Sequence, residues 1–194
     1  MKNIAVFASG GGSDLQAIID ACKSGRLNAR VCVVIGNNGG SMALQRARNE
    51  GIPAFHLSAK VIGDPAALEN RMLETLREHD TDLVFLAGYL KKMGSAVLRA
   101  YGNRILNIHP SLLPKHGGEG MYGINVHRAV LEAGETETGV TIHRVSAEYD
   151  AGEIVAQTKV PVLEGDAPET LAARVLAREH EFIVETLSGF LSRI

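Results

Sequence analysis

Short apolar runs alternate with segments of helical periodicity through the first half of the chain, and this alternation constrains the fold most. The runs cover residues 4–8, 31–35, 54–57, 83–87 and 105–108. Most of them show no alternation of polar and apolar residues, as is typical of strands covered on both faces. Apolar residues at helical spacing predict helices around residues 15–22, 41–49, 68–76 and 93–100. The pattern predicts an α/β, Rossmann-like three-layer domain with a mostly parallel sheet.

The second half of the chain has a different pattern. Residues 139–145 and 153–162 are rich in β-branched side chains and are joined by a turn-rich link at 148–152. They predict a C-terminal antiparallel strand pair that extends the sheet. Residues 166–191 predict one long closing helix with Asp166 as its N-cap. Because no linker separates two cores, we expect residues 1–194 to form one domain.

Composition excludes several classes of function. The chain has 20 basic and 22 acidic residues, no Trp and 5% aromatic residues. These values argue against binding of nucleic acid or anionic membranes. The first apolar run is too short for a signal peptide, and no stretch reaches the ~18 apolar residues of a membrane span. Cys22 and Cys32 form no C-x-x-C pair and fit buried small hydrophobes, with one disulfide as the alternative. We expect a soluble, cytoplasmic protein.

A glycine-rich loop follows the first predicted strand and leads into the first helix. Its glycines, Gly10 to Gly12, allow a sharp turn and close approach of a ligand, and a helix N-terminus favours a phosphate. The dinucleotide fingerprint fails because Leu15 occupies its third glycine position and no acidic residue ends the second strand. The Lys-Ser/Thr pair of a Walker A loop is absent as well. The loop predicts a site for one terminal phosphate, with a tight turn that binds nothing as the alternative.

A polar pair ends the fifth predicted strand. Alternation places Asn107 and His109 on one face of that strand, about 7 Å apart, and Pro110 then leads the chain out of the sheet. An amide and an imidazole side by side suit carbonyl chemistry, since both can stabilise an oxyanion. A carboxylate near His109, such as Asp150, would orient the ring and raise its pKa. The alternatives are a structural histidine and an ordinary turn aspartate.

Three further histidines raise the question of a metal site. His116, His127 and His143 lie in the second half of the chain, and their spacing matches no zinc-ligand set. We therefore predict no metal.

Several sequence blocks occur in the order typical of one enzyme family. Residues 9–16, 86–89, 107–114, 141–143 and 150–152 read SGGGSDLQ, LAGY, NIHPSLLP, TIH and DAG. Together they resemble the phosphoribosylglycinamide formyltransferases of the folate-dependent formyltransferase superfamily. The resemblance implies transfer of formyl from 10-formyltetrahydrofolate, as co-substrate, to the amine of phosphoribosylglycinamide in purine biosynthesis. It also implies small-molecule partners and direct attack without a covalent enzyme intermediate.

The resemblance implies a role for each matching residue. Asn107 and protonated His109 would stabilise the tetrahedral oxyanion, and Asp150 would support the imidazolium. Glu179 would contact the ribose of the substrate. The substrate phosphate would bind at the N-terminal loop, on Gly11, Gly12, Ser13, Asp14, Leu15 and Gln16. The folate would bind, with the catalytic residues at about 86–155, to Leu90, Lys91, Lys92, Met93, Asn107, Ser146, Ala147, Glu148, Tyr149 and Asp150.

Three positions depart from the pattern of the family. Asp14 replaces a common Asn, and Lys91 replaces a frequent Arg and so loses bidentate carboxylate geometry. The loop at residues 116–124 is longer than in many members, and is either a mobile lid or a surface loop without a role.

Other functions on the same fold are a methionyl-tRNA formyltransferase, a formyltetrahydrofolate hydrolase and a non-catalytic sensor. The two enzymes usually carry an additional domain, for which we expect no room in 194 residues. A sensor would not need the trio of Asn107, His109 and Asp150. The sequence leaves open whether the protein is a monomer or a homodimer.

Overall fold

The sheet contains seven strands, and the computed structural model describes residues 1–194. The strands are β1 (Lys2–Ala8), β2 (Ala29–Gly36), β3 (Ala54–His56), β4 (Leu83–Leu86), β5 (Ile105–His109), β6 (Glu137–Arg144) and β7 (Ile154–Pro161). Their order across the sheet is β3-β2-β1-β4-β5-β6-β7. Strands β1 to β5 pair in parallel, whereas β6 is antiparallel to both β5 and β7. The predicted fold class, including the C-terminal antiparallel extension, is confirmed.

Seven α-helices cover the sheet. They are α1 (Ser13–Lys23), α2 (Met42–Asn49), α3 (Ala59–Ile62), α4 (Pro65–Glu78), α5 (Ser95–Tyr101), α6 (Ile124–Glu132) and α7 (Pro168–Leu191). The short α3 and the nine-residue α6 were not predicted from the sequence. None of the helices has the length and apolar character that crossing a bilayer requires.

The flat apolar pattern of the central strands has a direct structural cause. Along β1, Ile4, Val6 and Ala8 belong to a cluster of 31 buried residues that packs under α1 and α7. Ala5 and Phe7 point to the opposite face, into a second cluster of 15 residues under α4 and α5. Both faces of the strand are therefore covered, and each fully buried large side chain contributes roughly 1.5–3 kcal/mol.

The start of the closing helix differs from the prediction. Ala167, not Asp166, is the N-cap of α7, and Pro168 occupies its first turn. The Asp166 carboxylate instead accepts hydrogen bonds from the Leu163 amide and the Thr170 hydroxyl and pairs with Arg174 at 2.6 Å. Asp166 thus fastens the preceding turn to the helix rather than capping it. Both cysteines are free thiols.

Candidate active site

A cavity of about 500 Å³ lies beyond the carboxyl ends of β4 and β5, where ligands bind in open α/β sheets. The sequence-predicted residues that line it are Asp14, Leu90, Lys91, Lys92, Met93, Asn107, His109, Ser146, Ala147, Glu148, Tyr149, Asp150 and Glu179. Gly11, Gly12, Ser13, Leu15 and Gln16 are not among its lining residues. The structure therefore brings most of the predicted residues to one cavity and leaves most of the glycine loop outside it.

Asn107, His109 and Asp150 form one cluster at the end of β5. The Nδ1 atom of His109 lies 3.4 Å from Oδ2 of Asp150, and both side chains are largely buried. The amide of Gly118 donates to the same Oδ2 at 2.9 Å, and Nδ2 of Asn107 lies 3.4 Å from Oδ1. Asp150 adopts a left-handed conformation with φ 52°, which turns the chain so that the carboxylate faces the strand end.

The hydrogen bonds of His109 define which nitrogen carries its proton. Nε2 lies 2.8 Å from the backbone oxygen of His116. Because a carbonyl oxygen can only accept, Nε2 must donate, and the neutral ring then has its lone pair on Nδ1. The nitrogen that faces Asp150 and the cluster is therefore available to accept a proton.

Asp150 raises the pKa of His109, as expected, but burial of the ring has the larger and opposite effect. Burial of the ring lowers the pKa of His109 below its usual 6.5, and this effect outweighs the opposing attraction of the Asp150 charge. Burial also pushes the pKa of Asp150 upward, but the His143 and His109 rings and the Gly118 amide hold it below its ordinary value. The cluster thus contains a neutral imidazole next to an ionised carboxylate at neutral pH.

His143 belongs to the cluster, although from the sequence it is considered only as a zinc ligand and rejected in that role. It lies on β6 directly opposite Asn107, and Nδ2 of Asn107 is 3.0 Å from its Nε2 atom. Alternation along β6 indicates which face His143 lies on. It does not give the register between β5 and β6, which places His143 opposite Asn107.

The glycine loop leads directly into α1. Gly12 is the N-cap with φ 72°, and a Cβ at this position would lie 2.7 Å from Cα of Ala43. The side chain of Leu15 is fully buried in the core, and the Gln16 amide donates to Asp20 and Glu50. Any contact of these two residues with a phosphate must therefore come from the backbone.

Arg46 on α2 was not predicted from the sequence. Its Nε atom donates to the backbone oxygen of Gly11 at 2.9 Å, and Nη1 donates to Oε1 of Gln16 at 3.4 Å. This arginine places a positive charge beside the glycine loop, where an anion would be favoured. Only the packing of α2 against the loop reveals it.

Two carboxyl groups lie close to each other in the wall of the cavity. Asp14 and Glu179 both line the cavity, and Nε2 of His180 lies 3.5 Å from Oδ1 of Asp14. Burial raises the pKa of Asp14 to about 6 against a smaller opposing effect of His180. Burial and the nearby Asp14 raise the pKa of Glu179 well above its usual value. Asp14 neither caps the helix nor points away from the site.

The long loop after Pro114 forms one wall of the cavity. Residues 118–123 line it. The loop is fastened to the cluster through the carbonyl of His116, which accepts from His109, and through the amide of Gly118. A Cβ at Gly117 would collide with the side chain of Leu113 and lie 3.3 Å from Cβ of Asp150. The glycine therefore allows the loop to approach the cluster closely.

A second cavity of about 920 Å³ adjoins the first and shares Tyr89, Lys91 and Lys92 with it. The Lys92 ammonium pairs with Glu148 at 3.0 Å, whereas Lys91 has no carboxylate partner. No group of three or more His, Cys, Asp or Glu side chains in the chain is arranged to hold a metal ion.

Comparison with known proteins identifies the family. Residues 2–187 match the family model described as formyl transferase. The chain therefore belongs to the formyl transferase family.

The relatives are named more narrowly. Phosphoribosylglycinamide formyltransferase of Escherichia coli (strain K12) is 39% identical over 97% of this chain and 86% of its own length. The chloroplastic phosphoribosylglycinamide formyltransferase of Vigna unguiculata is 46% identical, and the chain spans 60% of its length. The structure of glycinamide ribonucleotide transformylase 1 from Geobacillus kaustophilus has 40% identity and a TM-score of 0.91, with 98% of this chain and 99% of that chain covered. Within the family, the chain groups with the phosphoribosylglycinamide formyltransferases.

Proposed function

We propose that the protein transfers the formyl group of 10-formyltetrahydrofolate to the amine of phosphoribosylglycinamide. The products are formylglycinamide ribonucleotide and tetrahydrofolate, in de novo purine biosynthesis. One observation carries the proposal: a single cavity is lined by the Asn107–His109–Asp150 cluster and by residues of both predicted binding segments. The names of relatives that are 39–46% identical support it.

The two substrates enter from the two ends of the cavity. The ribonucleotide phosphate binds the backbone amides at the start of α1, beside Arg46, and the ribose lies near Asp14 and Glu179. The folate binds between residues 90–93 and residues 146–149. Lys91, which has no carboxylate partner, lies where the two cavities meet and attracts the carboxylate end of the folate.

The chemistry follows from the atoms that face the space between the substrates. The substrate amine attacks the formyl carbon, a C–N bond forms, and the carbonyl electrons move to the oxygen. An N–H of Asn107 donates to this oxyanion. The Nδ1 atom of neutral His109 takes a proton from the amine and returns it to N10 of the folate as the C–N10 bond breaks. Asp150 stabilises the imidazolium while it exists.

This assignment revises the role that the family resemblance implies for His109. A protonated ring would stabilise the oxyanion from the start, whereas the lowered pKa supports a neutral ring that gains its proton during the reaction. The transfer needs no covalent link between enzyme and formyl group.

A formyl-transfer assay tests the proposed function. Loss of 10-formyltetrahydrofolate is followed with and without phosphoribosylglycinamide, and formylglycinamide ribonucleotide is measured as the product. We expect loss of the folate only when the ribonucleotide is present. Equal loss in its absence, with formate as product, would mean that the protein is a hydrolase.

A further inference from the structure

Asn107 and His143 face each other across the antiparallel pair β5–β6. They are register partners, and Nδ2 of Asn107 lies 3.0 Å from Nε2 of His143. The His143 side chain is 3% exposed, so water does not compete for this contact. An amide nitrogen can only donate, and the hydrogen bond therefore requires an unprotonated Nε2 on His143.

The other ring nitrogen of His143 explains why Nε2 is unprotonated. Nδ1 lies 2.8 Å from the backbone oxygen of Arg144, which can only accept. Nδ1 must therefore carry the proton, and a neutral imidazole then has its lone pair on Nε2. The chain at Gly152 passes so close to this carbonyl that any Cβ there would collide with it, and the amide of Arg144 donates to Glu153. Packing thus holds the carbonyl that selects the tautomer.

The tautomer has a consequence for the substrate. The Asn107 side chain could turn by 180°, which would exchange its nitrogen and its oxygen. We propose that His143 is a positioning residue, whose Nδ1–H tautomer holds the Asn107 amide with its nitrogen, rather than its oxygen, on the side where the formyl oxygen binds. This inference rests on the proposed function and on the role of Asn107 in it. With the nitrogen bound to His143, its second N–H donates to Oδ1 of Asp150 at 3.4 Å beside the cavity. The formyl oxygen of the substrate would take the place of this long contact.

A competing arrangement makes the inference testable. Nε2 of His143 also lies 3.5 Å from Oδ1 of Asp150. An imidazolium at His143 would donate to that carboxylate and would turn the Asn107 amide, so that Oδ1 faced the ring. In that arrangement the Asn107 amide would present its oxygen to His143, and its nitrogen would leave the position it has in the structure.

The first experiment measures the protonation state directly. Long-range ¹H–¹⁵N spectra of the ligand-free protein, with the His143→Gln variant for assignment, distinguish an imidazolium from either neutral tautomer. We expect a neutral His143 with its proton on Nδ1 at pH 7. An imidazolium or an Nε2–H tautomer would overturn the proposal. This result does not depend on activity, and therefore it is separate from failure of the proposed function.

The second experiment asks whether His143 acts through Asn107. We expect His143→Leu to lower kcat by roughly 10- to 100-fold, part of the ~10²–10³ that an oxyanion donor contributes, with both KM values little changed. His143→Gln should restore most of the rate, because its Oε1 can replace Nε2 as acceptor. In an Asn107→Ala background, His143→Leu should lower kcat no further.

A matched control separates positioning from general support of the fold. His127 is also a buried histidine, on α6, and has no hydrogen bond to Asn107. The effect of His127→Leu should be the same in the presence and absence of Asn107. If His143→Leu is likewise multiplicative with Asn107→Ala, His143 supports only the fold and the proposal is wrong. If wild-type protein transfers no formyl group, the proposed function fails, whatever the spectra show.

Discussion

The two ends of the cavity differ in how their polar groups are satisfied. At the cluster end, Nε2 of His109, both nitrogens of His143 and both oxygens of Asp150 have a hydrogen-bond partner within 3.5 Å. At the opposite end, Oδ1 of Asp14 and Nε2 of His180 are buried without a hydrogen bond, although they lie 3.5 Å apart.

The difference separates a preorganised region from a region that a ligand completes. A buried polar group without a hydrogen bond costs about 1–3 kcal/mol, and a ligand that supplies the missing partner recovers part of this cost. The cluster needs no ligand to hold its geometry, as is expected where charge develops in a transition state. The carboxyl groups of Asp14 and Glu179 can form hydrogen bonds with the hydroxyl groups of a ligand.

Removing the charge of Asp150 disrupts the preorganised cluster and should have the largest effect on kcat. We expect Asp150→Asn to lower kcat by about 100-fold or more, because the amide cannot stabilise the imidazolium of His109. Both substrates should still bind. Loss of the carboxylate also removes the attraction that raises the pKa of His109, so the acid limb of the kcat–pH profile should move to lower pH. Steady-state kinetics from pH 4.5 to 8 at ~0.5-unit steps measures both effects.

The control for this variant is Asp80→Asn. Asp80 is also an aspartate with positive φ, at 48°, but it follows α4 and does not line the cavity. Its substitution should leave kcat near the wild-type value. Turnover near wild type in Asp150→Asn would remove Asp150 from the chemistry.

A side chain at Gly12 tests whether the other end binds the phosphate. We expect Gly12→Val to raise the KM of the ribonucleotide at least about tenfold, since the added atoms collide with Ala43 and displace the loop amides. The KM of the folate should change less than about twofold. Steady-state kinetics with each substrate varied in turn measures the two values.

Gly25→Val is the matched control for strain, because Gly25 also has positive φ, at 76°, but has open space around it. Both variants cost roughly 1–2 kcal/mol from the left-handed conformation, and only Gly12→Val should affect the ribonucleotide. Equal changes in both KM values would mean that the phosphate binds elsewhere.

The parts of the fold that were predicted are those with a strong local signal. The run from Ile4 to Ala8 is apolar because both faces of β1 are buried, and this is legible in the sequence. Helix α6 was missed because it is short and follows a glycine-rich loop, and because only Val126, His127 and Val130 are buried along it. Such a pattern is too sparse to distinguish a helix from the end of a loop.

The part of the site that could be predicted from the sequence is the part formed by residues of a single strand. Alternation alone placed Asn107 and His109 on one face of β5. The partnership of Asn107 with His143 depends on strand register, and the position of Arg46 depends on how α2 packs, so neither has a local signal. The effect of Asp150 on the pKa of His109 has the predicted sign, but the net pKa is set by burial, which is a property of the whole fold and has no local signal.

Replacing Asp14 should change the stability of the folded protein, and this is the smallest of the expected effects. The pKa of Asp14 is about 6 in the folded protein, above the usual 3.8. The folded state therefore binds the proton more tightly than the unfolded state, and the carboxyl destabilises the fold increasingly as pH rises from about 4 to 6. Asp14→Asn removes this cost. We expect the variant to gain on the order of 1–3 kcal/mol relative to wild type at pH 8 and nothing at pH ~3.5, as measured by urea unfolding.

Asp20→Asn is the control, since Asp20 lies on the same helix but is exposed. Its effect should stay within about 0.5 kcal/mol at both pH values. A pH-independent effect of Asp14→Asn would show that the Asp14 carboxyl is well solvated or paired in the folded protein. The two ends of the cavity would then be equally satisfied without a ligand, and the contrast between a preorganised end and an end completed by substrate would no longer hold.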